Sequence, residues 1–307
     1  MNKKINIVVV CGPTASGKTT LAVNIARKIN GEIISADSRQ VYRSMDLGTG
    51  KDLLEYSSNG SFTPYHLIDI TEPSYIYTVY DYKRDFAIAY DDIRLRKKIP
   101  VLAGGTGLYI EAVLRNYNFP GVSEDAKLRS ELMQRDKVWL QNELENKAPE
   151  IYKKTDLSSK KRIVRALEVV QYQNREKKED NTQFPFLEPL ILCTRWPREE
   201  LHRRIDERLR IRLEQGMIDE VKRLLDSGIP RSRFSLFGME YKHVARFIDG
   251  EVSMKQMAEQ LRISIHQLSK RQNTWFRGME RRGNVMHWID RADFETAMSV
   301  VTQYVTM

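Results

Sequence analysis

Residues 12–19 read Gly12-Pro13-Thr14-Ala15-Ser16-Gly17-Lys18-Thr19, a complete G-x-x-x-x-G-K-[ST] loop. An apolar, β-branched run from Ile5 to Val10 precedes it. A helical pattern of Leu21, Ala22, Ile25, Ala26 and Ile29 follows. Strand, glycine loop and helix in that order cradle a polyphosphate. The glycines let backbone N–H groups turn toward phosphate oxygens, Lys18 adds a point charge, and the helix aims its positive end at the anion. The Thr19 hydroxyl is placed to bind Mg²⁺ beside the phosphates. A chain that opens this way is constrained to a parallel sheet covered by helices, with its ligands at the carboxyl ends of the strands.

The next 100 residues keep that alternation. Glu32 to Ser35 reads as a second strand that ends near Asp37, and Leu67 to Ile70 as a short third. A helix is expected over Tyr80 to Lys98. A further strand, Ile99 to Ala103, ends in Gly104-Gly105-Thr106-Gly107, and another helix begins at Leu108. The loop at 12–19, Asp37 and Thr106 are therefore expected side by side. From about residue 118 the chain becomes charged and helix-forming, with a polar loop over Asn174 to Gln183. A strand returns at Pro189 to Thr194, followed by an Arg-rich helix from Arg198 to about Gln215. A long helix is expected from Ser253 to Arg277, with Met254, Met257, Ala258, Leu261, Ile265 and Leu268 as its core stripe. A last strand (Val285 to Ile289) and helix (Phe294 to Val305) complete the pattern. The expected organisation is a first part of the core over 1–117, a helical insertion over 118–187, and completion of the core over 188–307.

Bulk properties narrow the function. No apolar run is long enough to span a bilayer, so no membrane role is expected. Met1-Asn2-Lys3-Lys4 leads into the phosphate loop rather than a cleavage site, so no secretory leader is expected. Cys11 and Cys193 sit in apolar strand runs with no metal-ligand spacing, which suits small core residues in a reducing, cytoplasmic setting. A net charge of +9 is compatible with a polyanionic partner.

A nucleotide hydrolase pairs its phosphate loop with an Asp at a strand end to hold Mg²⁺. The strand at 99–103 ends in Gly-Gly-Thr instead, although Asp69 could fill the role. Asp37 is followed by Ser38, Arg39, Gln40 and Tyr42, side chains able to hydrogen-bond a base edge and stack on a ring. A carboxylate there could accept a proton from an exocyclic amine as its nitrogen attacks carbon. On the Arg-rich helix, Leu201, Ile205 and Leu209 form a buried stripe, and Arg204, Arg208 and Arg212 a second one. That second stripe is either a solvated face paired with Glu200 and Glu207 or a clamp on a leaving diphosphate. Lys270, Thr274 and Arg277 share one face of the long helix, while Arg271 and Trp275 share another. Basic residues interleaved with aromatics suit single-stranded nucleic acid. Lys160, Lys161, Arg162 and Arg165 offer phosphate contacts in the insertion.

Together these segments resemble the tRNA dimethylallyltransferase (tRNA isopentenyltransferase) family. The matching residues are the loop at 12–19, Asp37-Ser38-Arg39-Gln40-Val41-Tyr42, Met45-Asp46-Leu47-Gly48-Thr49 and His66-Leu67-Ile68-Asp69. They continue with Gly104 to Tyr109, Arg162 with Arg165 to Val169, and Lys270-Arg271-Gln272 with Thr274-Trp275. The resemblance implies an α/β, P-loop NTPase-like parallel sheet flanked by helices, with 118–187 as a tRNA-binding helical insertion. It implies transfer of a dimethylallyl group from dimethylallyl diphosphate to the adenosine 3′ of the anticodon, within the anticodon stem-loop of tRNA.

In such a site Gly12 to Thr19 hold the diphosphate with Mg²⁺ on Thr19, assisted by Arg204 and Arg208. Asp37 matches the general base, and Lys18 and Thr106 join it as catalytic positions. The tRNA-contacting positions are Asp37, Ser38, Arg39, Gln40, Thr106, Arg129, Lys161, Arg162, Arg165, Lys270, Arg271 and Arg277. A cytoplasmic monomer is expected. The family's usual Gly-Thr-Ala-Lys-Pro appears as Gly48-Thr49-Gly50-Lys51-Asp52, its His-His as Tyr65-His66, and its Ile-Gly-Tyr-Lys/Arg-Glu as Phe237-Gly238-Met239-Glu240-Tyr241. Two alternatives stay open: isopentenyl transfer to free adenine nucleotides, and ATP-dependent phosphoryl transfer.

Overall fold

The computed structural model describes residues 5–118, 125–173 and 184–305. It divides into two compact units, Met1–Tyr117 with Phe184–Met307, and Asn118–Gln183. The polar stretch at 174–183 lies outside the described residues. The first unit resumes at 184 rather than 188, because the Phe184 ring already stacks on Phe86 and takes Lys83 over its face.

The first unit begins with β1 (Ile7–Cys11), α1 (Lys18–Lys28), β2 (Gly31–Ser35), β3 (Tyr65–His66), α2 (Val79–Leu95), β4 (Ile99–Gly104) and α3 (Gly107–Leu114). The second unit holds α4 (Ala126–Gln134), α5 (Lys137–Lys147), α6 (Pro149–Lys154) and α7 (Lys160–Gln173). The first unit then continues with β5 (Pro189–Arg195), α8 (Arg198–Glu214), α9 (Met217–Asp226), α10 (Phe234–Phe237), α11 (Met239–Ile248), α12 (Met254–Arg281), β6 (Met286–Asp290) and α13 (Phe294–Val301).

The strands form a parallel sheet in the order β3-β2-β4-β1-β5-β6, with Val9 opposite Leu102 on one side and Ile191 on the other. Both faces are covered, which is why β1 is apolar at every position rather than alternating. Ile7, Val9 and Cys11 face a layer that includes α2, α3, α8, α11 and α12, while Val8 and Val10 face α1 and α13. Each of these side chains is fully buried and contributes roughly 1.5–3 kcal/mol where large and aliphatic.

The third expected strand is displaced. Only Tyr65 and His66 pair with β2, whereas Leu67 (φ +62°) and Asp69 (φ +55°) turn the chain away. The N–H groups of Asp69 and Ile70 donate to the carbonyls of Gln40 and Val41 instead. Asp69 is held by Lys51, a side chain only 1% exposed that also bonds the Tyr42 carbonyl and Asp46.

In the second unit, Asp125 and Asp136 cap α4 and α5 through the N–H groups of Leu128 and Trp139. Leu140 and Leu144 of α5 pack on Ile163, Val164, Leu167 and Val170 of α7. That stripe turns the polar face of α7 outward.

Candidate active site

The phosphate loop joins β1 to α1 and is braced from three sides. From β5, the Thr194 hydroxyl lies 2.7 Å from Ser16 Oγ and 3.3 Å from the Cys11 carbonyl it donates to. A Cβ on Gly12 would fall 1.9 Å from Thr194 Oγ1, so only glycine fits. Past β5, the Trp196 indole donates to the Ser16 carbonyl at 2.9 Å. From α8, Arg204 Nε donates to the Ala15 carbonyl at 2.8 Å while its guanidinium rests on the Trp196 ring. From α12, the Gln272 amide oxygen accepts the Thr14 N–H at 2.8 Å, and its nitrogen donates to the Gly105 carbonyl at 2.9 Å. Gln272 thus ties the loop after β1 to the turn after β4.

Asp37 follows β2 at the same edge of the sheet. Its carboxylate accepts the Arg39 N–H at 2.9 Å, and the Thr106 hydroxyl accepts the Ser38 N–H at 3.0 Å. The Thr106 N–H donates to the Ala36 carbonyl at 3.1 Å. The ends of β2 and β4 are therefore stitched together where they meet the ligand edge. Arg39 donates to the Leu236 carbonyl, and Gln40 bridges the Ser35 hydroxyl to the Gly50 carbonyl. Tyr42 is no stacking platform. It is buried, and its hydroxyl accepts the Tyr77 N–H.

Loop, Asp37 and arginines line one cleft of about 1190 Å³. Thr14 to Thr19, Asp37 to Gln40, Thr106, Arg204, Arg208 and Arg271 of the expected set all reach it. Leu201, Ile205 and Leu209 are buried as expected, and Arg204, Arg208 and Arg212 turn into the cleft rather than to solvent. Glu200 and Glu207 pair elsewhere, with Arg291 and Arg210. Cations are crowded here. Burial, with Arg208 adding to it, brings the Lys18 ammonium down to about 8 against the opposing pull of Asp37 and Asp52. Burial and Arg212 bring the Arg208 guanidinium down to about 10. Burial pushes the Glu240 carboxyl up despite Arg212 and Arg208. Such a site favours an arriving polyanion.

On α12, Lys270, Thr274 and Arg277 form an exposed face. The aromatics between them point inward: Phe276 is core, and the Trp275 ring packs against Gly107 within the cleft. Within the second unit, Lys161 is exposed, Arg162 pairs with Asp156, and Arg165 lies 3.4 Å from the buried Glu168. Arg129 binds that same carboxylate through two nitrogens, at 3.1 and 2.6 Å. Sequence reasoning named Arg212 in the arginine stripe but passed over Gln272, Asp52, Glu240 and Glu220 as site residues. The Glu220 carboxylate accepts the N–H groups of Asp46, Leu47 and Gly48 and the Tyr241 hydroxyl, fixing the segment that walls the cleft. Of the residues passed over, only Gln272 carried a signal, by its place within the Lys270-Arg271-Gln272 motif.

Residues 40–279 match the family model described as IPP transferase, and residues 5–57 that described as isopentenyl transferase. The chain is 48% identical over 290 residues to tRNA dimethylallyltransferase 1 of Geotalea daltonii, covering 94% of this chain and 91% of that one. It is 46% identical over 287 residues to tRNA dimethylallyltransferase 2 of Trichlorobacter lovleyi, covering 94% and 92%. The crystal structure of the full-length tRNA isopentenylpyrophosphate transferase of Bacillus halodurans superposes with a TM-score of 0.70 at 32% identity, covering 98% of this chain and 96% of that one. With a matching model across most of its length and relatives this similar end to end, the chain belongs to the IPP transferase family.

Proposed function

We propose that this chain transfers a dimethylallyl group from dimethylallyl diphosphate to N6 of the adenosine 3′ of the anticodon in tRNA, in the cytoplasm. The carrying observation is the single cleft that gathers a phosphate loop, a strand-end carboxylate and a stripe of arginines. The N6 lone pair attacks C1 of the dimethylallyl group. The C1–O bond breaks with its electron pair going to the diphosphate oxygen, and the N6 proton passes to the Asp37 carboxylate.

Lys18, the loop N–H groups, Arg204 and Arg208 hold the diphosphate and take up the charge that develops on it. Thr106 positions Asp37 by bonding the residue after it. Ser38, Arg39, Gln40, Arg271 and the outer face of α12 (Lys270, Arg277) contact the RNA. The second unit adds phosphate contacts from Arg129, Lys161, Arg162 and Arg165.

Mg²⁺ fits this donor set. In phosphate-loop sites it keeps several waters and binds through one or two side chains plus the phosphates. Thr19 opens the first turn of α1 and lines the cleft. Among the described residues no cluster of three or more His, Cys, Asp or Glu competes for the ion. When bound, it would neutralise charge on the diphosphate. The Asp69 alternative is disfavoured because that carboxylate is committed to Lys51 and does not line the cleft.

The test is purified protein with an anticodon stem-loop carrying adenosine at the acceptor position, Mg²⁺ and labelled dimethylallyl diphosphate. Label is expected in the RNA. Label on free adenine nucleotides alone, or phosphate release from ATP without label in RNA, overturns the proposal.

A further inference from the structure

Two of the cleft arginines already have an anion. Arg208 Nη2 lies 3.0 Å from one oxygen of Asp52 and Arg212 Nη2 lies 3.2 Å from the other. The arginine side chains are 27% and 12% exposed, whereas that of Asp52 is 48% exposed. The carboxylate therefore closes over them from the solvent side. Its backbone is fixed for this purpose. Gly50 (φ +71°) and Asp52 (φ +31°) are both left-handed, and a Cβ on Gly50 would lie 2.3 Å from the Nη2 atoms of both arginines. A side chain at position 50 would push both guanidinium groups away from this turn. Between them the buried Lys51 anchors the segment through Tyr42, Asp46 and Asp69.

The same arginine reaches the phosphate loop, since Arg208 Nη1 lies 3.4 Å from Thr14 Oγ1. A diphosphate bound in the loop and the Asp52 carboxylate must share one pair of guanidinium forks. We propose that Asp52 is a displaceable internal counterion, which keeps Arg208 and Arg212 paired before the donor binds and competes with the product diphosphate for them, promoting its release. This rests on the function proposed above, in which the diphosphate gains a negative charge when the C1–O bond breaks. An Asp so placed weakens binding of the more highly charged product more than that of the ester, because repulsion scales with the product of the charges. It is a positioning residue and touches no reacting atom.

The test is calorimetric titration of the full chain with inorganic pyrophosphate and Mg²⁺. Asp52→Asn and Asp52→Gly both tolerate a left-handed backbone and keep the fold. Asp219→Asn removes an exposed acid that pairs with Lys222 and serves as the charge control. Both Asp52 variants are expected to bind pyrophosphate about tenfold tighter, or about 1.4 kcal/mol, with Asp219→Asn unchanged. Product inhibition by pyrophosphate should strengthen in step. A residue that merely braced the arginines would weaken binding when removed, so weaker binding overturns the proposal. Unchanged binding in the Asp52 variants, or none in any of the proteins, also overturns it. The titration holds neither prenyl donor nor RNA, so its outcome is independent of the transfer assay.

Discussion

Gln272→Leu isolates how far the cleft depends on one side chain from the far end of the chain. The amide makes two hydrogen bonds, to the Thr14 N–H at 2.8 Å and the Gly105 carbonyl at 2.9 Å. Leucine keeps the volume and removes both. A neutral hydrogen bond contributes about 1 kcal/mol net, and cleft water can reach the freed groups, so the loss is about 2 kcal/mol. It falls on the placement of the loop relative to the β4 turn rather than on the core, because the surrounding α12 packing through Phe276 and Met279 is untouched. At about 1.4 kcal/mol per decade, kcat/KM for dimethylallyl diphosphate should fall about thirtyfold, with a drop in melting temperature of only a few degrees. Steady-state kinetics with a saturating stem-loop, alongside a thermal melt, read both quantities. A kcat/KM within twofold of the parent chain, or a loss matched by a large drop in melting temperature, would show that Gln272 does not place the loop.

Other residues give separate outcomes. Glu220→Gln leaves three backbone N–H groups and the Tyr241 hydroxyl competing for one amide oxygen. It should cost about 3 kcal/mol and lower Tm by roughly 5–10 °C, which calorimetry checks. With the Lys18 ammonium at about 8 in the free protein, the side chain is charged below that pH and must take up a proton to bind an anion above it. The ratio of parent to Lys18→Met affinity for pyrophosphate should therefore fall as pH rises above about 8, and a flat ratio between pH 7 and 9.5 contradicts this. Arg129→Ala removes the two-nitrogen partner of a carboxylate that is 1% exposed. It should destabilise the Asn118–Gln183 unit by about 3 kcal/mol, visible as earlier loss of helical signal on heating. An unchanged melt would mean that the Arg129–Glu168 pair contributes nothing to the stability of this unit.

The sheet was largely legible because its strands are continuous apolar runs of β-branched residues ending in glycine or aspartate, and Ile7–Cys11 and Ile99–Gly104 stand where those runs do. The helices followed from periodicity, with Met257, Leu261 and Ile265 buried on α12. Leu67 to Ile70 misled because an apolar run cannot reveal that a buried lysine eighteen positions away will hold Asp69 and turn the backbone (Lys51 to Asp69). The site was legible where its residues lie in the loops after β1, β2 and β4. It was opaque to the roles of Gln272, Glu220 and Asp52, which exist only once α12 and α9 fold back and the Gly50 turn meets α8. A glutamine mid-helix and an exposed aspartate look ordinary until their partners are known.

The proposed reaction is defined by which bond breaks. With dimethylallyl diphosphate carrying ¹⁸O at the oxygen between C1 and the first phosphorus, attack of N6 on carbon sends all of the label into the released diphosphate. The adenosine gains one dimethylallyl group and no phosphorus, and Asp37→Asn should abolish this while keeping pyrophosphate binding. Mass spectrometry of the RNA and the diphosphate reads both products. Phosphorus on the RNA, or label retained with the prenyl alcohol, would place the chemistry at phosphorus and contradict the reading of this cleft.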